Sequence, residues 1–410
     1  MKILHTSDWH LGRTLYGRRR YPEFTALLDW LISVIEQQQV EALLVAGDIF
    51  DTTAPGNRAQ ELYYRFLYRV AASSCRHVVV IAGNHDSPTF LNAPRELLRS
   101  LNVHVVGAAS ADPADEVLLL ADRQQQPELL VAAVPYLRDR DLRLAEAGES
   151  VEDKERKLLA GLREHYARVA AVVEERRQTL DRPVPTVAMG HLFTAGGQKV
   201  EGDGVRELYV GSLAHVPADQ LPDNFDYLAL GHLHVPQRVG GAENRRYSGS
   251  PLPVGFGEAG QQKSVCLVEL QAGQPARVHT LPVPIFQPLK RIRGTWEEIE
   301  RRLTELAAGD SPCWLEIVYE GEEVIPELRQ RLEEKTAGSR LEILRIINQR
   351  LSRRILEQTQ PSETLDDLDP YQVFQRCLEA HHIPPDQQPP LLQAYRETVT
   401  TLLEEDHRAE

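Results

Sequence analysis

Five short apolar runs in this chain each lead, within a few residues, to aspartate, asparagine or histidine. The run over residues 42–46 is apolar at every position, which is typical of a strand buried on both faces. The segment before it instead carries apolar residues at helical spacing, as in Leu27, Leu31 and Ile35. Strands that alternate with helices predict a parallel α/β sheet, in which ligands gather at the carboxyl ends of the strands.

The residues that follow these runs are nitrogen and oxygen donors of the kinds that bind divalent metals. Four of the five runs carry a glycine before the first polar residue, which lets the backbone turn sharply and approach a ligand closely. The seven donors are Asp8, His10, Asp48, Asn84, His191, His232 and His234. A single histidine of this kind is more often a hydrogen-bonded core residue, but seven donors from five strand ends suit two divalent ions that share one carboxylate.

Taken in order, these motifs resemble the signature of the calcineurin-like metallophosphoesterases. They are Asp8-Trp9-His10, Gly47-Asp48-Ile49-Phe50-Asp51, Gly83-Asn84-His85-Asp86, Gly190-His191 and Gly231-His232-Leu233-His234. The segment over residues 4–12 and the second motif are most similar to a branch of bacterial DNA nucleases related to the eukaryotic meiotic recombination nuclease. The likeness is specific over residues 1–270 and looser beyond them. It implies an α/β fold with a two-sheet β-sandwich flanked by helices, a small α+β capping domain and C-terminal helices.

The resemblance also implies a role for each site residue. One ion would be held by Asp8, His10, Asp48 and His234, and the other by Asp48, Asn84, His191 and His232, with Asp48 bridging. His85 matches the family's catalytic histidine, which would protonate the leaving oxygen or steady the phosphate. Asp86 resembles the carboxylate that orients His85. Manganese is the metal that the likeness implies, whereas the donor types alone would also admit iron or zinc.

The length of 410 residues predicts two or three domains. Prolines at 282, 284 and 288 mark a boundary. We expect a nuclease domain over residues 1–284, a capping domain over 285–350, a linker over 351–370 and short helices over 371–410. The alternating segment 264–270 is expected to close a second sheet. In the capping domain, Thr295 followed three residues later by Glu298 predicts a capping box at a helix start.

The net charge of −14 argues at first against a nucleic-acid partner. Residues 351–410 contain 5 Arg and 12 Asp or Glu, however, so half of that charge belongs to the tail. A basic cluster follows the first motif and could meet phosphates or form a solvated loop. It consists of Arg13, Arg18, Arg19 and Arg20.

The family resemblance implies a manganese-dependent DNA nuclease, both a double-strand exonuclease and a single-strand or hairpin endonuclease. DNA duplex ends and hairpins would be its substrates, in end processing, recombination and repair. The C-terminal helices would bind the coiled coil of an ABC-type ATPase, and the nuclease domain would form a homodimer. From the residues alone, these helices could equally dock on the same protein, since so short a segment cannot bury two apolar faces by itself.

Other classes are less well supported. No apolar segment is long enough for a signal peptide or a membrane span, so we expect a cytoplasmic protein with no membrane partner. The cysteines form no paired motif and are interpreted as buried or inert thiols. Protein phosphatases of this family follow the second motif with an arginine, where this chain has Thr52 and Thr53. A small-molecule phosphodiesterase and a non-catalytic scaffold of the same fold remain as alternatives.

Overall fold

The structure is a computed structural model that describes residues 1–144, 149–194, 216, 221–309 and 311–349. In the tail it also describes Phe374, Gln375, Leu378, Gln388, Leu391, Leu392 and Tyr395. The chain divides into two compact units, Met1–Phe286 and Gln287–Glu410. The expected linker over 351–370 lies outside the described residues, as does most of the expected C-terminal helical segment.

The first unit contains fourteen strands and six helices within its described residues. In chain order they are β1 (Lys2–Thr6), β2 (Thr14–Leu15), β3 (Arg18–Arg19), α1 (Tyr21–Gln38), β4 (Ala42–Ala46), α2 (Asn57–Ala71), β5 (His77–Ile81), α3 (Pro88–Asn92), α4 (Arg95–Arg99), β6 (Val103–Val106), β7 (Val117–Ala121), β8 (Pro127–Ala133), α5 (Asp139–Leu142), α6 (Val151–Gln178), β9 (Thr186–His191), β10 (Tyr227–Gly231), β11 (Gln237–Val239), β12 (Ala242–Tyr247), β13 (Ser264–Glu269) and β14 (Arg277–Pro282). Two short 3-10 helices, Pro113–Glu116 and Phe256–Glu258, lie between them.

Two six-stranded sheets form a sandwich, with strand orders β14-β13-β1-β4-β5-β6 and β11-β12-β10-β9-β8-β7. The strands β1, β4, β5 and β6 run parallel in the first sheet, and β8, β9, β10 and β12 run parallel in the second. Between the sheets, Leu44 and Ile81 pack in one core with Val131 and Met189. This arrangement confirms the expected two-sheet sandwich.

Helices cover the outer faces of both sheets. Leu31 of α1 and Phe66 of α2 belong to one core with Val80 of β5, and Val169 of α6 belongs to another core with Ala188 of β9. Side chains in a strand alternate between faces, so the inner core and the outer cores take alternate residues of the same strands. The expected flanking helices are therefore confirmed. None of the helices among the described residues is long and apolar enough to cross a membrane.

The segment 264–270 does not lie in the second sheet, and that expectation is wrong. Its strand β13 pairs antiparallel with β1 in the first sheet, where Cys266 lies opposite His5. β13 is buried at five of its six positions, so it is a central strand between β1 and β14. An apolar pattern shows that a strand is buried, but not which strand it pairs with.

The second unit has a three-stranded parallel sheet with the order β15-β16-β17. Its elements are β15 (Leu289–Gly294), α7 (Trp296–Ala307), β16 (Cys313–Tyr319), α8 (Leu328–Thr336) and β17 (Leu341–Asn348). Leu303 of α7 and Leu332 of α8 pack on Ile317 in its core. At the start of α7, Glu298 accepts a hydrogen bond from the backbone N of Thr295 at 2.9 Å, as the capping pattern predicts.

Two of the described tail residues contact each other. The rings of Phe374 and Tyr395 are stacked, with centroids 4.1 Å apart and an angle of 3° between their planes. The two residues belong to the two segments predicted to form short helices, so these segments meet at least at this point.

Candidate metal centre

The loops that follow β1 and β4 run side by side beyond the ends of their strands. The backbone N of Asp8 donates to Gly47 O at 2.9 Å, and that of His10 donates to Asp48 O at 3.0 Å. A third bond of the same kind follows, so the two loops continue the strand pairing. This pairing fixes the points at which the side chains of the first two motifs leave the backbone.

Four of the seven candidate ligands have left-handed backbone conformations. Their φ angles are 53° for Asp8, 47° for His10, 51° for Asp48 and 99° for His232. Residues other than glycine seldom adopt such angles, and each instance costs about 1–3 kcal/mol. Strain of this kind persists only where the surrounding structure imposes it, and it is concentrated at functional sites.

Two glycines let the ligand loops approach one another. A Cβ atom on Gly83 would lie 2.1 Å from Asp48 Oδ1 and 2.3 Å from the backbone N of Asp48. A Cβ atom on Gly231 would lie 1.9 Å from the carbonyl oxygen of Ala46. The strand-end glycines therefore provide the close backbone approach that the sequence predicts for them.

Asp8, His10 and His234 form one part of the cluster, with potential ligand atoms within 4.8 Å of one another. The Nε2 atoms of His10 and His234 lie 3.2 Å apart. The carboxylate of Asp8 is positioned by the backbone N of His232, which donates to Oδ1 at 3.0 Å, and by the Ser7 hydroxyl, which donates to Oδ2 at 2.5 Å. All three candidate ligands are buried.

The other part of the cluster is built around Asn84. Its Oδ1 atom lies 3.0 Å from His191 Nε2 and 2.9 Å from His232 Nδ1. Asp48 Oδ2 lies 3.3 Å from His191 Nε2 and 3.7 Å from His10 Nε2, so it reaches both parts. Contacts of this kind connect all seven sequence-predicted donors into one group.

The contacts around the histidines fit bound cations. One ring nitrogen, Nδ1, faces an acceptor in each of three residues: Asp51 Oδ1 at 3.4 Å from His10, Ala46 O at 2.8 Å from His191, and Glu258 Oε1 at 3.1 Å from His234. With the N–H on Nδ1, each ring would present its Nε2 atom to a bound ion. In particular, the Nε2 atoms of His10 and His234, which lie 3.2 Å apart, would both face the same ion. The donor set therefore fits divalent metal ions.

Burial and neighbouring charges shift the pKa values of the side chains in this group in different directions. Burial lowers the pKa of His191, but the charges of Asp48 and Asp8 outweigh it and raise that pKa to about 9. Burial lowers the pKa of His232 to about 3. Burial opposes ionisation of Asp48, yet its histidine neighbours, His191 first, hold its pKa well below the usual range. The carboxylate at the centre of the cluster is therefore ionised, as a metal ligand must be.

His85 lies beside the cluster, and the ring contact of its Nδ1 atom is with the carbonyl oxygen of Asp51 at 2.9 Å. The expected partner, Asp86, lies elsewhere. Its carboxylate accepts from the backbone N of Ile49, Phe50 and Gly83 at 3.2, 3.0 and 2.8 Å. The expectation that Asp86 orients the His85 ring is thus corrected. Asp86 is fully buried and satisfies three backbone donors of the motif loops, while the backbone of Asp51 orients the ring.

Two carboxylates behind the cluster were not assigned roles from the sequence. Asp51 Oδ1 faces the Nδ1 atom of His10 and accepts from Arg13 Nη1 at 2.8 Å. Glu258, which is fully buried, faces the Nδ1 atom of His234. Asp51 belongs to the second motif, so the sequence could have identified it as a residue of the site. Glu258 lies in the short helix Phe256–Glu258, outside every motif, and no sequence pattern singled it out.

The basic cluster after the first motif separates into buried, half-buried and exposed arginines. Arg20 is 2% exposed, and it donates to both oxygens of Glu23 at 2.9 and 2.7 Å and to Pro253 O at 2.7 Å. It belongs neither to a solvated loop nor to a phosphate-binding surface, which corrects the sequence interpretation. Arg13 is half-buried between Asp51 and Val254 O, whereas Arg18 and Arg19 are exposed.

Comparison with known families agrees with this geometry. The family model for calcineurin-like phosphoesterases matches residues 1–236. The family model SbcD_C, described as the type 5 capsule protein repressor C-terminal domain, matches residues 285–382. The chain belongs to the calcineurin-like phosphoesterase family, which makes it a metal-dependent phosphoesterase.

The similar curated proteins define the group within that family. The D subunit of nuclease SbcCD from Escherichia coli (strain K12) is 37% identical over 404 residues, which cover 98% of each chain. The proteins of the same name from Rhodobacter capsulatus and Bacillus subtilis are 38% and 37% identical, over 76% and 70% of this chain and 77% and 71% of theirs. Within the phosphoesterases, the chain therefore belongs to the SbcD group.

Proposed function

We propose that this chain is a manganese-dependent DNA nuclease that works with an SbcC-type ATPase in DNA end processing, recombination and repair. Its reactions would be double-strand exonuclease and single-strand or hairpin endonuclease cleavage. The observation that carries the proposal is the connected group of seven nitrogen and oxygen donors at the strand ends, with His85 beside it. The names of the similar proteins support a nuclease rather than another phosphoesterase.

Two ions would be held by the sets that the family resemblance implies. These sets are Asp8, His10, Asp48 and His234 for one ion, and Asp48, Asn84, His191 and His232 for the other. Divalent ions supply Lewis acidity and lower the pKa of bound water at such a site. The contacts of Asp48 with both His10 and His191 support its role as the bridging ligand.

His85 would donate the proton that the leaving oxygen needs. Its Nδ1 atom is occupied by the carbonyl oxygen of Asp51, so a second proton would be held on Nε2, the other ring nitrogen. General acid catalysis of this kind contributes about 10²–10⁴-fold to the rate. Asp86 would act one step further away, because it fixes the backbone of the loop from which Asp51 projects.

The names of the similar proteins and the acidity of the tail support the proposed partners. The similar proteins are D subunits of SbcCD, which supports an SbcC-type ATPase as partner, bound through the helices of 371–410. An acidic tail that binds a protein leaves the nuclease domain free to bind DNA. A homodimer of the nuclease domain, a DNA-steering capping domain over 285–350 and a cytoplasmic location complete the proposal.

The test is cleavage of a linear DNA duplex and of a DNA hairpin by the purified chain, alone and with an SbcC-type ATPase, in Mn²⁺ or chelator. His85→Ala is the test variant and His279→Ala, on exposed β14, is the matched control. We expect cleavage that needs Mn²⁺, is lost in His85→Ala and survives in His279→Ala. Hydrolysis of a small phosphodiester without any DNA cleavage would instead indicate a small-molecule enzyme. A metal-loaded chain that hydrolyses neither substrate would indicate a scaffold.

A further inference from the structure

One buried ion pair holds His234 at both its ring and its backbone. The pair is formed by Glu258 and Lys263, whose Oε2 and Nζ atoms lie 2.5 Å apart. Glu258 is 0% exposed and Lys263 is 4% exposed. Buried charges are expensive unless they are paired and fully hydrogen-bonded, so an ion pair beneath a candidate ligand requires an explanation.

The hydrogen bonds of the pair converge on His234. Glu258 Oε1 lies 3.1 Å from the ring Nδ1 of His234, and Lys263 Nζ donates to the backbone O of His234 at 3.0 Å. Ser250 links the two charges, since its hydroxyl donates to Glu258 Oε2 at 3.2 Å and accepts from Lys263 Nζ at 3.0 Å. The backbone N of Val254 donates to Glu258 Oε2 at 3.0 Å, and Gln261 accepts from Lys263 Nζ at 3.1 Å.

The two parts of the metal centre are supported differently. In the part containing His10 and His234, each ring faces a carboxylate that is itself paired with a cation: Asp51 with Arg13, and Glu258 with Lys263. In the other part, the ring of His191 faces the neutral carbonyl of Ala46. A carboxylate behind a histidine fixes its tautomer and makes the opposite nitrogen a stronger ligand than a carbonyl does.

From this asymmetry we infer that Glu258, held by Lys263, is a positioning residue for His234 and makes the Asp8, His10 and His234 position the tighter of the two metal positions. The inference rests on the proposed metal centre and adds that its two positions bind metal with unequal affinity. Glu258 does not contact the reacting atoms. It acts by holding the Nδ1 proton, so that the Nε2 lone pair of His234 faces the ion.

The experiment is a calorimetric Mn²⁺ titration of the full chain after removal of metal with chelator. The variants are Glu258→Gln and the double variant Glu258→Gln with Lys263→Met, which leaves no unpaired buried charge. Glu116→Gln is the matched control, since Glu116 is also fully buried and also contacts a histidine, His165 Nε2 at 2.8 Å, that is not a candidate ligand. Thermal unfolding of each metal-free variant reports whether it is folded.

We expect two classes of Mn²⁺ site in the wild-type chain and in Glu116→Gln. In Glu258→Gln, and equally in the double variant, the tighter class should weaken about 10–100-fold while the weaker class changes less than about twofold. Recovery of full affinity in the double variant would overturn the inference, because it would show that only the unpaired charge mattered. Equal weakening of both classes, or no weakening, would overturn it as well.

The same titration separates this inference from the proposed function. A wild-type chain that binds no Mn²⁺ would overturn the metal centre and the role of Glu258 together. A chain that binds two ions with the expected asymmetry but cuts no DNA, even with an SbcC-type ATPase present, would overturn the nuclease proposal and support the role of Glu258.

Discussion

The Nε2 atoms of His10 and His234 lie 3.2 Å apart, while the Nδ1 atom of each ring faces a carboxylate, that of Asp51 or Glu258. A cation bound between these two nitrogens would stabilise the folded chain, because the unfolded chain has no preformed site for it. The arrangement therefore ties the stability of the protein to its metal content.

Mn²⁺ should raise the free energy of unfolding of the chelator-treated chain. A ligand that binds only the folded state adds about 2.7 kcal/mol at a concentration of 100 Kd. Thermal unfolding at increasing Mn²⁺ concentration measures the effect. In His234→Ala the increase should be smaller, because one ligand is absent, and a midpoint that does not respond to Mn²⁺ in the wild-type chain would contradict the prediction.

Gly83→Ala should destabilise the chain and weaken its metal binding, because the new Cβ would lie 2.1 Å from Asp48 Oδ1 and 2.3 Å from the backbone N of the same residue. Overpacking of this kind typically costs about 1–3 kcal/mol. Urea unfolding measures the loss. Gly260→Ala is the control, since a Cβ there meets nothing within 4 Å, and equal losses in the two variants would refute the steric argument.

Arg20→Gln should be strongly destabilising, since it leaves Glu23 buried without its charged partner. Removal of one member of a buried ion pair costs about 3–5 kcal/mol. Arg19→Gln, at an exposed position in the same cluster, should change stability by less than about 0.5 kcal/mol. Urea unfolding distinguishes the two. An Arg20→Gln variant of unchanged stability that binds DNA more weakly would restore the original interpretation of Arg20 as a phosphate contact.

The stability of the chain should fall as the pH is lowered below about 6.5, in part because of His5. Burial lowers the pKa of His5 to about 3, and its Nδ1 atom lies 2.9 Å from the Tyr227 hydroxyl between the two sheets. Below its ordinary pKa the unfolded chain takes up a proton at His5, while the folded chain does not until about pH 3. Folding is therefore opposed by about 1.4 kcal/mol per pH unit across this window.

Urea unfolding at pH 6.5 and pH 4.5 in chelator, with His5→Gln as the variant, measures this contribution. The difference in stability between the two pH values should be about 2–3 kcal/mol smaller in His5→Gln than in the wild-type chain. His279→Gln, on the exposed edge strand, should keep the wild-type difference. Parallel pH dependence in all three proteins would show that His5 is protonated in the folded state.

Much of the fold follows from local patterns in the sequence. The uninterrupted apolar residues of β4 and β5 predict strands buried on both faces, and the structure confirms them. The sheet that contains β13 was assigned wrongly, because apolar periodicity encodes burial but not pairing partners. The hairpin of β2 and β3 was also missed, since strands of two residues have no periodicity to detect.

The site also has residues that the sequence predicts and residues that it does not. Donors such as Asp8 and Asn84 lie within three residues of strand ends, and the carboxyl ends of parallel strands lie together, so their convergence is predictable from the sequence. Glu258 is not, because it reaches His234 from a short helix 24 residues further along the chain. The partner of the His85 ring is a backbone carbonyl. Every residue has one, so no sequence motif could identify it.

The left-handed conformations of Asp8, His10, Asp48 and His232 have a consequence for how this protein can be improved. Glycine tolerates such φ angles without strain, so at each of these positions the backbone favours a residue that cannot bind an ion. Selection for a more robust fold and selection for chemistry thus oppose each other at four places in one loop cluster. A search for thermostable variants of this chain that is carried out without metal will tend to erase the site.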